Sequence, residues 1–514
     1  MACAVFNQDQ ENIVLKKIII SSIVLNVALL LGRVSGFVRE LFIANTYGVT
    51  ANADIIVLWF TLPDLILSIL AGSAVGAALI PKFVRAGMKS KGVWLQATFV
   101  FFCIFMIFAA GLQSFSDYIV HLLAPGLRGE AVGLADVGVK IGILLFPLSL
   151  LAAVNAAYFH YKGNFFVPGL GTLVFNVVLI YGLVLSNFFG GVDLIYMLVA
   201  LGLAVFARFI YQFFIIFELD ACRDAIANWY LDKALFIKFV TSMLSSSLLF
   251  VYPVVGRAFS SASMEGGVAS FSYTFKLIEL PLMVAITFLS VVFMPSLAKL
   301  WIDDRTEFFS LSARGLEITL AVSLLVMLPV FIFSDVYARI VFGGILDDAT
   351  ITIMGASVRV GALILVTQGV MLFLSAIFNA SGLTYVPLIA NVFGVSLYAV
   401  LLYSGNSMSV TEIIGLLIIS QGLTLICMLV FMFGRWWSDI KNVFSCKWIL
   451  LILVLAALLL GLDYLWGETN MLFRSSVVSP LYVIFLVGVI WSHPDFRFNL
   501  RRVFVKIKGR ANRV

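Results

Sequence analysis

The sequence predicts an all-α polytopic membrane protein with about 14 transmembrane helices, arranged as two pseudo-symmetric six-helix lobes plus two C-terminal helices. Three observations carry this prediction. The 514 residues are 62% hydrophobic with a mean hydropathy of +1.11, and only 12% are charged, where a soluble chain carries about 25%. Apolar runs of roughly 20 residues recur from end to end, the length needed to cross a bilayer as a helix. The chain also echoes itself at a spacing of about 218 residues, as Leu62-Pro63 and Leu280-Pro281 illustrate. Helices follow because backbone polar groups in lipid must be satisfied within their own segment.

The first seven spans begin near Lys17, Asn52, Val93, Val137, Phe166, Asp193 and Leu235. The second seven begin near Gly266, Arg314, Met354, Pro387, Val410, Trp448 and Ser476. An even number places both termini on one side, and charge chooses the side. With a cytoplasmic N-terminus, most of the 33 Lys and Arg fall in cytoplasmic segments, including Lys82, Arg85, Lys89 and Lys91. Only Arg128, Arg257, Arg339 and Arg474 fall outside, the asymmetry that cytoplasmic loops impose. The expected topology is therefore multi-pass with both termini cytoplasmic.

The repeat extends further. Gly48 falls on Gly266 and Arg39 on Arg257, and Ala157–Pro168 recurs as Ala376–Pro387. The offset equals six spans, so both halves share one orientation, related by an axis along the membrane normal, as in two-lobed transporters. The expected organisation is an N-lobe over residues 13–220 and a C-lobe over 233–436. A helix pair over 447–493 and a basic cytoplasmic tail over 494–514 follow.

The net charge of +6 is concentrated in that tail and fits a lipid-facing terminus rather than a nucleic-acid partner. The five cysteines are scattered, which predicts neither disulfides nor a metal site. No cleavage site follows Met1–Glu11, so no removable signal peptide is expected. There is no phosphate loop, no H-E-x-x-H and no G-x-S-x-G. No enzyme activity and no cofactor are expected.

The informative residues are charges inside apolar segments, where each costs roughly 2.5–3.5 kcal/mol. Arg33 and Arg39 lie in the first span, with Glu40 beside the second and Gly36 between them. Six residues turn a helix by about 600°, so the two differ by roughly 120° around the axis and could border one wide cavity. Guanidinium groups offer permanent, forked donors suited to phosphate or diphosphate. The alternative is an ion pair with Glu40 or Asp54 that fixes helix positions. Asp54 reads equally as a solvated or helix-capping residue and as a counter-ion. In span eight, Lys276 and Glu279 share a helix face. They read either as an internal pair or as a cation placed opposite the arginines. Arg257, the repeat partner of Arg39, completes the candidate substrate-binding set of Arg33, Arg39, Asp54, Lys276, Glu279 and Arg257.

The segment from Gly32 through Asp54, with Leu62–Ile66 and Ala71–Phe83, resembles the N-terminal signature of the MurJ/MviN family. Ala124-Pro125-Gly126, Phe146-Pro147, Tyr211-Gln212, Lys276–Pro281 and Met294–Lys299 resemble that family in order and spacing. The resemblance implies a lipid II flippase of the multidrug/oligosaccharidyl-lipid/polysaccharide exporter superfamily. It implies two lobes around a cationic cavity for an undecaprenyl-pyrophosphate-linked glycan, alternating access between leaflets, and a role in cell-wall peptidoglycan biosynthesis. It also implies a groove on spans 13 and 14 for the polyprenyl tail. Arg33, Arg39, Asp54 and Lys276 fall on family positions implicated in function. Two departures stand out: Leu67 and Ser68 replace an arginine pair, and lysine replaces the usual arginine at 276. They open an alternative, a flippase for exopolysaccharide or O-antigen units; a cation-coupled multidrug exporter is the second. The expected partners are the lipid-linked substrate, membrane lipids and a monovalent coupling ion, with Asp54 or Glu279 as candidate ion sites.

Overall fold

The computed structural model describes residues 30–440 except 70–74, 165, 189–193 and 406–407, together with the isolated positions 457 and 461. The start of the first span, the predicted helix pair over 447–493 and the tail over 494–514 lie outside the described residues. So do the side chains of Asp64, Leu67 and Ser68.

The chain enters on α1 (30–47). It continues through α2 (Ala51–Ile69), α3 (Val75–Ala86), α4 (Ser90–Gln113), α5 (Ser116–Leu123), α6 (Glu130–Tyr161), α7 (Phe166–Phe188) and α8 (Leu194–Ile216). A short surface helix, α9 (Leu219–Ala227), leads into α10 (Lys233–Ser263). The second half follows as α11 (Gly267–Pro281), α12 (Thr287–Asp303), α13 (Arg305–Ile332), α14 (Ser334–Phe342), α15 (Asp348–Gly361), α16 (Ile364–Ala380), α17 (Tyr385–Ser404) and α18 (Val410–Ile440). Among the described residues nine helical segments are long and apolar enough to cross a membrane. The protein is membrane-embedded. Predicted spans two to twelve each fall on one described helix or on two consecutive ones, and the described part of the first falls on α1. Spans four and nine begin earlier than predicted, at Glu130 and Arg305. In α13 the polar residues Arg305, Thr306 and Glu307 precede the apolar run.

The breaks have local causes. Pro281 ends α11 and a π-type turn, Leu282–Ile286, joins it to α12. Proline has no N–H to give the carbonyl four residues back, and the Tyr337 hydroxyl donates to that Leu277 carbonyl instead, at 3.1 Å. Several helix starts are capped by carboxylates. Asp232, Asp304 and Asp347 accept backbone N–H bonds at the starts of α10, α13 and α15, which satisfies donors with no partner inside the helix.

The repeat is visible in the backbone. Gly48 and Gly266 both have left-handed φ, 60° and 75°, and so do Gly163 and Gly382, at 72° and 79°. The short helices α5 and α14 begin at Ser116 and Ser334, the same spacing. Glycine suits these turns because a Cβ penalises positive φ.

The packing divides unevenly along the molecule. At the end carrying the α1–α2 and α10–α11 turns, one apolar core runs through both halves, from Ile43 and Phe175 to Phe271, Phe342 and Leu417. At the opposite end there are two separate cores. One contains Phe83, Trp94 and Phe159 together with Leu235 and Phe239 of α10. The other contains Phe308, Phe373, Phe378 and Trp436. The halves are thus fused by apolar packing at one end and keep separate cores at the other, with α10 bridging them.

Candidate functional site

The two arginines of α1 have different fates. Arg39 is 4% exposed. Its Nη2 donates to Glu40 Oε1 at 2.9 Å, and its Nη1 donates to Asn176 Oδ1 of α7 at 3.0 Å. The guanidinium also lies over the Phe60 ring, 5.5 Å from its centroid. Asn176 in turn donates to the Gly32 carbonyl and Ser35 Oγ. Arg39 therefore binds α1 to α7 and α2, the helix-fixing role that its neighbouring carboxylate allows.

Arg33 is half-buried. Among the described residues its Nη1 is buried without a hydrogen-bond partner. The rotation of roughly 120° between positions 33 and 39 accounts for the split: one face of α1 meets α7, and the other looks toward α11.

There Arg33 lies within electrostatic reach of the Glu279 carboxylate. Lys276 Nζ donates to Glu279 Oε2 at 2.6 Å, and both side chains remain partly accessible, at 25% and 22%. Glu279 also lies within electrostatic reach of Arg33 and Arg257. Arg257, counted from sequence among the cations outside the membrane, is an intermediate-burial residue within α10, and its Nη1 donates to Thr61 Oγ1 of α2 at 3.2 Å. Lys276 thus forms the internal pair, whose carboxylate lies within electrostatic reach of Arg33. Four of the six sequence-selected residues are linked electrostatically: Arg33 of α1, Arg257 of α10, and Lys276 with Glu279 of α11.

Asp54 takes a role in neither of its expected forms. It is 2% exposed and caps a helix, but not its own. Its Oδ1 accepts the backbone N–H of Ala269 in the first turn of α11, at 2.7 Å. The Tyr273 hydroxyl donates to the Gly48 carbonyl beside it. Gly126 N–H donates to Ser261 Oγ across the same seam. A Cβ on Gly126 would lie 1.8 Å from the Ser261 carbonyl oxygen, and one on Gly266 2.5 Å from the Val49 backbone. These contacts tie the two halves together at the fused end.

Arg208 is buried against α7, donating to Thr172 Oγ1 at 2.6 Å and lying over Phe175. Arg359 lies over Phe331. Sequence reasoning missed Asn176 and Thr61. Lone polar residues in apolar helices, they carry no motif, and only their distance from an arginine marks them. No group of three or more metal-ligating side chains occurs among the described residues.

A family model described as lipid II flippase MurJ matches residues 43–489. A protein of Buchnera aphidicola named probable lipid II flippase MurJ is 25% identical over 337 residues, covering 63% of this chain and 65% of that protein. The chain spans about 60–65% of the length of the first curated relatives it matches. Among solved structures, a lipid II flippase MurJ in an inward closed conformation aligns with a TM-score of 0.74 at 18% identity, over 91% of this chain and 99% of that one. An inward-facing multidrug resistance MATE transporter of the MOP superfamily aligns with a TM-score of 0.65 at 14% identity, over 82% and 100%.

Proposed function

The chain belongs to the lipid II flippase MurJ family, and from that premise we propose that it moves an undecaprenyl-diphosphate-linked, lipid II-like precursor from the cytoplasmic to the outer leaflet of the bacterial inner membrane. The family is one of transporters, and the reading needs no covalent chemistry from the protein. The observation that supports it is the Lys276–Glu279 pair, with Arg33 and Arg257 within electrostatic reach of the same carboxylate. Charged side chains at such depth persist where they serve a pathway or a ligand, and a diphosphate is the ligand that forked donors fit.

With both termini cytoplasmic, the fused end is the outer one. The separate cores then flank an entrance from the cytoplasm, where the positive segment after α3 would attract an anionic head group. The head group enters between the halves and meets Arg33, Arg257 and Lys276. The seam at Asp54 and Ala269 then parts while the cytoplasmic cores approach, and the head group leaves outward. Arg39 holds α1 in position throughout, and the polyprenyl tail stays in lipid. A drug-exporter reading is disfavoured because the convergent charges are mainly cationic.

The test is complementation of a strain depleted of its essential lipid II flippase, together with lipid II translocation in vesicles. Arg33→Ala and Lys276→Ala are expected to insert normally and to lose translocation. Wild-type rates in both variants would overturn the proposal.

A further inference from the structure

Among the described residues, Glu279 pairs with Lys276 and lies within electrostatic reach of Arg33 and Arg257, so it is not spent on an isolated pair. Its Oε2 holds Lys276 at 2.6 Å and stays partly accessible. Arg33 nearby keeps a buried Nη1 without a hydrogen-bond partner among the described residues. Arg257 reaches into the same region from α10, anchored on Thr61. Like charges within electrostatic reach of one another repel, and a carboxylate that Lys276, Arg33 and Arg257 all influence lowers that cost. The geometry of a carboxylate accepting from Lys276 is also the geometry in which a diphosphate oxygen would accept from it.

The position along the helix adds a second element. Glu279 stands two residues before Pro281, where α11 gives way to the π-type turn Leu282–Ile286. The carbonyl that Pro281 leaves without a helical donor is held by Tyr337 of α14. The carboxylate is therefore within one turn of the place where this helix can bend.

We infer that Glu279 is an internal stand-in for the substrate diphosphate: it gathers Lys276, Arg33 and Arg257 in the empty site and yields them when the lipid-linked diphosphate arrives. The inference rests on the flippase reading of the same site and assigns Glu279 a positioning and specificity role. Release of Glu279 frees the segment ahead of Pro281, so ligand entry is coupled to bending of α11. A monoanion or neutral head group competes poorly with the carboxylate, so the stand-in also selects for multiply charged ligands.

The experiment is calorimetric titration of the purified full-length protein in detergent with two probes, inorganic pyrophosphate and farnesyl diphosphate. Lipid II translocation is measured on the same preparations. Glu279→Gln removes the competitor, and binding of both probes is expected to tighten about fivefold, the upper end for a partly exposed ion pair. A purely structural carboxylate predicts the opposite, since loss of the Lys276 anchor would weaken binding. Unchanged or weaker binding by Glu279→Gln, in a protein whose wild type binds and translocates, overturns the inference alone. A wild type that neither binds a diphosphate nor translocates lipid II overturns the flippase reading, and the inference with it. Tightening for farnesyl diphosphate only assigns the site to a lipid-borne diphosphate; tightening for both assigns it to the diphosphate itself, and either supports the stand-in. If Glu279→Gln does not fold, Glu279→Asp carries the test. Its shorter side chain loosens the hold on Lys276, so binding is expected to tighten about twofold, and weakened binding overturns the inference.

Discussion

Asp54 and Ala269 lie 215 positions apart in the chain, yet the Asp54 carboxylate accepts the Ala269 backbone N–H at 2.7 Å. This bond joins the second helix to the first turn of α11 and so joins the two halves of the molecule. A carboxylate at a helix N-terminus gains typically 0.3–1 kcal/mol, and up to ~2 kcal/mol where partly buried. That is enough to bias a two-state equilibrium without locking it.

Asp54→Asn keeps an acceptor but removes the charge. The population is expected to shift toward states in which the fused end is open, by a few-fold to roughly thirtyfold for a loss of ~1–2 kcal/mol. Spin-label distances between α2 and α11 in reconstituted protein check this. An unchanged distance distribution would show that the cap does not hold the seam.

Arg39 and Glu40 form a pair whose side chains are each 5% exposed. Removing one partner leaves an uncompensated buried charge, typically costing 3–5 kcal/mol. Arg39→Met is expected to lower the thermal midpoint sharply, and Arg39→Met with Glu40→Met to recover much of the loss. A double-mutant cycle on detergent-solubilised protein measures the coupling. Near-additive losses would contradict a direct pair.

Gly48 and Gly266 are repeat partners with opposite surroundings. A Cβ on Gly48 meets nothing within 4 Å, whereas one on Gly266 lies 2.5 Å from the Val49 backbone. Gly48→Ala is expected to cost about 1 kcal/mol, the strain of left-handed φ alone. Gly266→Ala adds a backbone clash and is expected to cost severalfold more. Comparing the two thermal midpoints tests whether the seam is as tight as it looks.

Tyr337→Phe deletes only the hydroxyl that holds the Leu277 carbonyl. Leaving a buried carbonyl unsatisfied costs roughly 1–3 kcal/mol. Stability is expected to fall by that amount, with faster amide exchange in residues 277–286. Unaltered exchange there would show that the bend at Pro281 does not depend on α14.

Ahead of α10, Asp232 is paired with Lys82 and accepts the Leu235 N–H. The Lys82 hydrogen bond first, and the Leu235 N–H second, hold its carboxyl below the usual carboxylate range. A depressed carboxylate contributes stability above its unfolded pKa of about 3.9 and loses it as pH falls through the lower folded value. The α3–α10 tether is therefore expected to survive at neutral pH and to weaken only in acid. Asp232→Asn should match the wild type at low pH and fall below it at neutral pH, as melting curves across pH would show.

The helical, membrane-embedded character was legible in the sequence because apolar runs of bilayer length admit no other backbone solution. The internal repeat was legible too: turns that demand positive φ retain glycine, as Gly48 and Gly266 do. The charges set inside apolar segments were equally plain, since an arginine in an apolar helix is costly wherever it sits. Their partners were not. Which way Arg33 and Arg39 point depends on which helices flank α1, and side-chain periodicity supplies an angle but no neighbour. Only the packed structure separated them, giving Arg39 to Glu40 and Asn176 and bringing Arg33 toward Glu279. It likewise set Arg257 of α10 against Thr61 of α2 and made Asp54 a cap for a helix in the other half. Hydropathy is a property of each segment alone, whereas charge pairing is decided by contacts between residues more than 200 positions apart, as with Asp54 and Ala269.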